Sequence, residues 1–132
     1  MQRVIAGLFL TLVCASLYAQ TMDMRATIPF TFRAGETVMP AGDYTIRHRE
    51  HQLVLHKEGG GPSIMLLTNA ALRLTPSPES RLNFSRYGER YFLSSAWSQG
   101  TTAGFEILKS RAEKELARQT LRESVGIALQ RP

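Results

Sequence analysis

The chain has 132 residues, of which 43% are hydrophobic and 20% charged, and 16 Lys and Arg stand against 11 Asp and Glu. This length excludes a two-domain enzyme, and the hydrophobic fraction excludes a disordered tail. Because there is one cysteine, a small scaffold held together by disulfides is also excluded, and a small globular domain with a mild positive charge remains.

The N-terminal segment predicts export. Arg3 supplies a positive charge, residues 4–18 carry none, and Ala19 is small enough for a signal peptidase site, which is the layout of a secretory signal peptide. The alternative is an uncleaved anchor helix, but the apolar run is short for a membrane span, which needs about 20 residues. We therefore predict a signal peptide over residues 1–19 and a secreted or periplasmic mature chain.

The mature chain that this cleavage leaves contains no cysteine, because Cys14 lies inside the removed segment. Val13 precedes it where a lipoprotein signal needs a small residue, so we predict no lipid anchor. Loss of Arg3 lowers the net charge from +5 to +4. This excess favours an anionic partner such as lipid headgroups or acidic glycans, although ordinary surface charge is the simpler interpretation. We expect no nucleic acid partner, because no nucleic-acid motif occurs.

Short stretches typical of β-strands follow, separated by turn signals, over residues 24–107. In the first, residues 26–32, apolar side chains occupy every second position, which predicts a strand with one buried face. Pro29 cannot donate a ladder hydrogen bond and puts this strand at an edge or a bulge. Residues 64–67 are all apolar, which predicts a central strand or one covered on both faces.

The clearest local signal is a hairpin over residues 81–97. The Gly-Glu pair at residues 88–89 fits a two-residue type II′ loop, because glycine comes first. That register pairs Phe84 with Leu93 across the two strands. Regular alternation then places Trp97 on the same face as Leu93, in the predicted core.

The C-terminal residues change to a helical period, which predicts a helix over residues 109–132. Ser110 and Glu113 form a capping box at its start. Its apolar stripe either packs on the β domain or lies on a membrane surface, and the narrow stripe of small residues favours packing. Basic residues form a second face, which is a candidate interaction surface: Arg111, Lys114, Arg118 and Arg122.

The sequence carries no recognisable catalytic or metal-binding arrangement. No G-x-S-x-G, H-E-x-x-H or Walker-type loop occurs, so we predict no enzymatic activity and no cofactor. Three histidines lie near one turn, but alternation turns His48 inward and places His56 with Val54. We therefore predict structural or surface roles for His48, His51 and His56, and no metal site.

Recognition-type side chains are densest on the hairpin: Arg86, Tyr87, Arg90, Tyr91 and Trp97. Arginine and aromatic side chains together can hold sugars or phosphates by stacking and forked hydrogen bonds. A stabilised hairpin over a tryptophan-centred core is the simpler interpretation. The cluster is nevertheless the candidate ligand site.

Three segments carry a resemblance to a known family. They are Ile-Pro-Phe-x-Phe at 28–32 with Met-Pro-Ala-Gly-x-Tyr at 39–44, Arg-Tyr-Gly-Glu-Arg-Tyr-Phe-Leu at 86–93 with Trp97, and residues 106–118. In this order they resemble an uncharacterised family of small secreted bacterial β-rich proteins. The resemblance spans most of the mature chain, implies a one-domain exported β protein and transfers no catalytic residues.

We predict a mainly β domain over residues 20–108, an antiparallel β-barrel or β-sandwich of about seven or eight strands with one C-terminal α-helix. As a function we expect an exported, non-enzymatic module that binds an apolar or anionic envelope ligand, inside the domain or at the hairpin cluster. The alternative is a structural or interaction protein whose helix or open sheet edge docks to an envelope protein or a membrane surface. Ligand identity and oligomeric state are left open.

Overall fold

A computed structural model describes residues 22–131, and the predicted signal peptide and Cys14 lie outside them. Ten strands and one helix follow one another in the described chain. They are β1 (Met22–Ile28), β2 (Phe32–Ala34), β3 (Thr37–Met39), β4 (Gly42–Arg49), β5 (Gln52–Lys57), β6 (Ser63–Leu72), β7 (Arg81–Tyr87), β8 (Arg90–Trp97), β9 (Ala103–Ile107), α1 (Arg111–Gln119) and β10 (Glu123–Ala128). The prediction of a mainly β domain with one C-terminal helix is confirmed, with ten strands instead of seven or eight.

The strands form one sheet in the order β1–β4–β5–β6–β9–β8, and β8 also pairs with β7 and with β2. β3 pairs with the free side of β2, and β10 pairs with the free side of β7. Strand pairs are antiparallel except β2 with β8, which meet in parallel at Arg33 and Phe92. Arg25 and Gln130 exchange backbone hydrogen bonds of 2.7 and 2.8 Å near the sheet ends. No continuous ladder joins these ends in the described chain, so the sheet is open and sandwich-like.

Aromatic and aliphatic side chains from most strands fill the space between the inward faces. The Phe32 ring meets Tyr44 and Phe84 edge to face, with ring centres 5.5 and 5.3 Å apart. Phe32 and Phe84 are each 1% exposed, which is typical of a close-packed interior. Aliphatic residues complete this core: Ile28, Met39, Ile46, Leu53, Leu55 and Leu82.

The first predicted strand divides at Pro29. β1 ends at Ile28, and β2 begins at Phe32 and pairs with β3 and β8 instead of β4. Since proline cannot donate a ladder hydrogen bond, the chain leaves the sheet there. Phe30 packs on Tyr91 with ring centres 3.8 Å apart, so the break still contributes a side chain to the core.

The hairpin of β7 and β8 has the predicted loop and pairing. Gly88 has a φ of +63°, as the first residue of such a loop requires, and Phe84 lies opposite Leu93. A bulge then leaves Ser94 without a partner on β7, because the next pair is Asn83 with Ser95. The extra residue inverts the alternation, so the prediction that Trp97 shares a face with Leu93 is wrong.

The predicted helix over residues 109–132 begins as expected, but its length is wrong. α1 ends at Gln119, and residues 123–128 form β10, which pairs with β7. Val125 and Ile127 pack against the core from alternate positions of this strand. β-branched residues favour strands, and pairing satisfies the backbone groups along the edge of β7, so tertiary structure overrides the helical spacing. The β domain therefore extends beyond residue 108 and includes β10.

Candidate functional site

Arg86 and Tyr91 are cross-strand neighbours on one face of the hairpin. The Arg86 guanidinium lies 6.0 Å from the centre of the Tyr91 ring, and Phe30 stacks on the same ring. Arg86 Nε also donates to the Gly88 carbonyl at 2.9 Å and lies 3.6 Å from a carboxylate oxygen of Glu123. Arg86 is therefore engaged in holding the hairpin and β10 together.

Tyr87 points to the opposite face and is buried beneath α1. Its hydroxyl donates to Glu113 Oε2 at 3.1 Å, and its ring meets Phe92 edge to face at 5.8 Å. Half of the predicted capping box is present, because Ser110 Oγ accepts from the Glu113 backbone amide at 3.2 Å. The Glu113 carboxyl reaches Tyr87 instead of closing the box. Tyr87 therefore anchors the helix to the sheet.

Burial raises the pKa of the Glu113 carboxyl above the ordinary value of 4.5. The Tyr87 hydrogen bond and the charges of Lys109 and Arg122 lower this pKa in part. Burial and the Glu113 charge raise the pKa of Tyr87 in turn. The surroundings of Glu113 therefore disfavour the charged form of its carboxyl.

We expect Glu113→Gln to stabilise the domain at pH 7–8 by about 0.5–2 kcal/mol, because the amide still accepts from Tyr87 and needs no charge. The pKa of Glu113 is higher in the folded than in the unfolded state. The stability that Glu113 contributes is therefore fully present below about pH 4.5 and is lost as the pH rises through the folded-state pKa. The gain over the unchanged protein should therefore vanish near pH 4. Urea unfolding across this range measures it, with the exposed Glu115→Gln as the matched control. Destabilisation by Glu113→Gln at every pH would contradict this interpretation.

Trp97 lies at the far end of β8, away from the hairpin loop. Its indole Nε1 donates to Ser95 Oγ at 3.1 Å, and it packs against Gly104 on the neighbouring strand. The guanidinium carbon of Arg73 lies 5.2 Å from the centre of the Trp97 ring. Trp97 is buried there and does not join the other predicted site residues.

Two predicted site residues, Arg90 and Tyr91, line one groove of 260 Å³ together with residues of β2 and β3. Arg33 and Val38, which are register partners, form the opposite part of this groove. Neither Arg33 nor Arg90 has an ion pair with another residue of 22–131. Glu89 also lines the groove. We call this the arginine groove; sequence reasoning missed its Arg33 because the β2–β8 contact joins distant parts of the chain.

The four basic residues predicted as an interaction surface do not all lie on the helix. Arg111, Lys114 and Arg118 are exposed, and their spacing puts them on one face of α1. Arg122 lies beyond the helix end, where its charge lowers the pKa of Glu113. The helix therefore presents three of the four predicted basic residues.

The three histidines do not converge. His48 is 1% exposed; its Nε2 lies 3.0 Å from Thr68 Oγ1, and its ring stacks on Phe105 with centres 3.3 Å apart. Burial, with a smaller effect of the His51 charge, lowers the pKa of His48 below its ordinary 6.5. His51 and His56 are exposed. No group of three or more potential ligands able to hold a metal occurs within residues 22–131.

No protein-family model, curated protein or solved structure matches this chain. The resemblance to a family of secreted bacterial proteins therefore stays a prediction. Among the residues that the structure describes, no helix is long and apolar enough to cross a membrane.

Proposed function

We propose that this protein is an exported, non-enzymatic binding module that holds an anionic ligand in the arginine groove. One observation carries the proposal: Arg33 and Arg90, from different hairpins, line the same groove without ion pairs among residues 22–131. An arginine guanidinium presents a planar fork of donors that matches a carboxylate or a phosphate. Export is inferred from the pattern of residues 1–19.

Packing in the interior favours a site on the surface. The interior is occupied by large side chains such as Phe32 and Phe84, which leaves a ligand inside the domain without room. The arginine groove, by contrast, is open to solvent and lies at the edge where β2 meets β8. A surface site therefore has more support than the internal site that the sequence also allowed.

The ligand class follows from the groove lining. Val38 is 54% exposed and Tyr91 is half-buried, so the groove offers apolar and aromatic contact beside its two cations. A small ring with one acidic group uses both kinds of contact. We therefore propose an acidic sugar of an envelope glycan as the ligand.

The alternative function, docking through the C-terminal helix, has less support. α1 has nine residues and is tied to β7 through buried Glu113. Its exposed basic face alone does not distinguish a docking surface from an ordinary solvated one.

The double variant Arg33→Gln with Arg90→Gln is expected to bind glucuronate more weakly, by about tenfold or more for each arginine that is removed. The reason is that a hydrogen bond to a charged group contributes about 1.5–3 kcal/mol. NMR titration of the exported protein with glucuronate measures the affinity. Native mass spectrometry of the same preparation detects any acidic sugar that copurifies.

The matched control is Arg111→Gln with Arg118→Gln, which removes the same charge from an exposed helix face. It should leave glucuronate binding unchanged. Equal loss in both double variants would show that net charge alone attracts the ligand. Unaltered binding after loss of Arg33 and Arg90 would refute the proposed site.

A further inference from the structure

The outward side of β4, β5 and β6 is an exposed surface with a mixed composition. Met65 and Leu67 are 60% and 62% exposed, and they lie in the half of β6 that pairs with β5, because the pairs with β9 begin at Thr68. Two grooves, of 300 and 360 Å³, lie along this side, and both include Arg47 and Val54. Neighbouring apolar side chains that are exposed on a sheet face mark a candidate interaction surface.

Strand register places cations and apolar side chains in the same cross-strand rows. Arg47, Val54 and Met65 are successive cross-strand neighbours on β4, β5 and β6. One row further, Arg49 lies opposite Gln52, and Gln52 lies opposite Leu67. Antiparallel register partners project to the same side of a sheet. We call this surface the open face and define it by Arg47, Arg49, Val54, Met65 and Leu67.

The open face is positively charged. Arg49 has no ion pair with any residue of 22–131. Arg47 Nε lies 3.7 Å from Asp23 Oδ1, but both side chains are more than half exposed, and such pairs contribute little. His56 lines the 360 Å³ groove, and its side chain brings no negative charge to this face. An occupant of this face therefore needs negative charge beside apolar surface.

We infer that the open face binds the surface of an anionic lipid membrane. Lipid phosphates match Arg47 and Arg49, while Met65 and Leu67 can enter the boundary between headgroups and acyl chains. A second copy of the chain fits poorly, because pairing two such faces would bring their arginines together. The inference is independent of the arginine groove, which shares no residue with this face.

Binding of the exported protein to vesicles tests this inference. Vesicles of phosphatidylcholine with phosphatidylglycerol are compared with vesicles of phosphatidylcholine alone, at low and high salt, by sedimentation. Each arginine near an anionic surface strengthens binding about fivefold, so Arg47→Ser with Arg49→Ser should weaken it about 25-fold. Binding should also fall at high salt and on vesicles without phosphatidylglycerol.

Two further double variants decide which surface is responsible. Met65→Ser with Leu67→Ser should also weaken vesicle binding, and these exposed changes should leave the thermal unfolding midpoint close to that of the unchanged protein. Arg111→Ser with Lys114→Ser removes equal charge from α1 and should bind vesicles like the unchanged protein. The inference is overturned if the α1 variant loses binding as strongly as the open-face variant, or if anionic vesicles do not bind. Binding of polyglutamate through Arg47 and Arg49 without vesicle binding would assign the face to an acidic protein partner and overturn the lipid assignment.

Discussion

Gly104→Ala is expected to destabilise the domain by about 3 kcal/mol or more, at the upper end of what overpacking costs. An alanine Cβ at this position would lie 2.5 Å from Trp97 Cε3 and 2.7 Å from the carbonyl oxygen of Ala96. One of these atoms is backbone, and the other belongs to a rigid ring that Ser95 and Arg73 hold in place. Neither can move aside without disturbing the β8–β9 ladder.

Urea unfolding of Gly104→Ala and Gly126→Ala measures this difference. Gly126 also lies within a strand, but the atoms nearest to its added Cβ are 3.5 Å away or more. Gly126→Ala should therefore change the unfolding free energy by no more than about 1 kcal/mol. When Trp97 is also replaced by alanine, Gly104→Ala should lower the unfolding free energy by less than it does in the presence of Trp97. Equal effects of the two single glycine changes would contradict the close contact.

Acidification below about pH 6.5 is expected to reduce the stability of the domain through His48. The pKa of this buried histidine is lower in the folded state than its ordinary 6.5, chiefly because of burial. The unfolded chain therefore binds more protons as the pH falls below 6.5, and the unfolding free energy decreases by at most about 1.4 kcal/mol per pH unit. The decrease stops below the pKa of folded His48. Nδ1 of His48 has no partner in residues 22–131 that could stabilise the added proton.

The variant His48→Gln removes the titrating group and keeps a polar atom for Thr68. Its unfolding free energy should depend less on pH between 6.5 and 5 than that of the unchanged protein. His56→Gln is the matched control, because it makes the same substitution at an exposed histidine of the neighbouring strand. Comparing each variant with the unchanged protein at the same pH cancels the effect of Glu113, whose raised pKa changes the stability in the opposite direction. An acid slope that persists in His48→Gln would refute the assignment.

The candidate site was only partly predictable from the sequence. Arg90 and Tyr91 were identified from local density of arginine and aromatic residues, and both line the arginine groove. Arg33 joins them through a parallel contact between β2 and β8, which no local pattern encodes. The side chain of Tyr87 projects from the opposite face of the hairpin, where it lies beneath α1 and donates a hydrogen bond to Glu113. Residues of the candidate site that depend on non-local pairing therefore could not be predicted from the sequence.

The open face shows the same division between local and non-local information. The all-apolar run at residues 64–67 predicted a central strand or one covered on both faces, which is wrong: these residues pair with β5, the pairs with β9 begin at Thr68, and Met65 and Leu67 are exposed. Whether its outward side would be covered depended on where α1 packs, and the helix packs over Tyr87 instead. Met65 and Leu67 remain exposed, in the same cross-strand rows as the arginines of β4.

Local interactions alone determined several features of this protein. The Gly88 loop with its hairpin register, the Ser110 cap and the inward alternation of β4 involve residues close in sequence, so their patterns are readable. Only tertiary structure decided that a bulge turns Trp97 away from Leu93 and that residues 123–128 form a strand. For residues 123–128, the free energy of pairing with the distant strand β7 and packing Val125 and Ile127 against the core exceeds the local helical preference. The bulge lies inside the hairpin, and nothing in its local sequence pattern signals the extra residue.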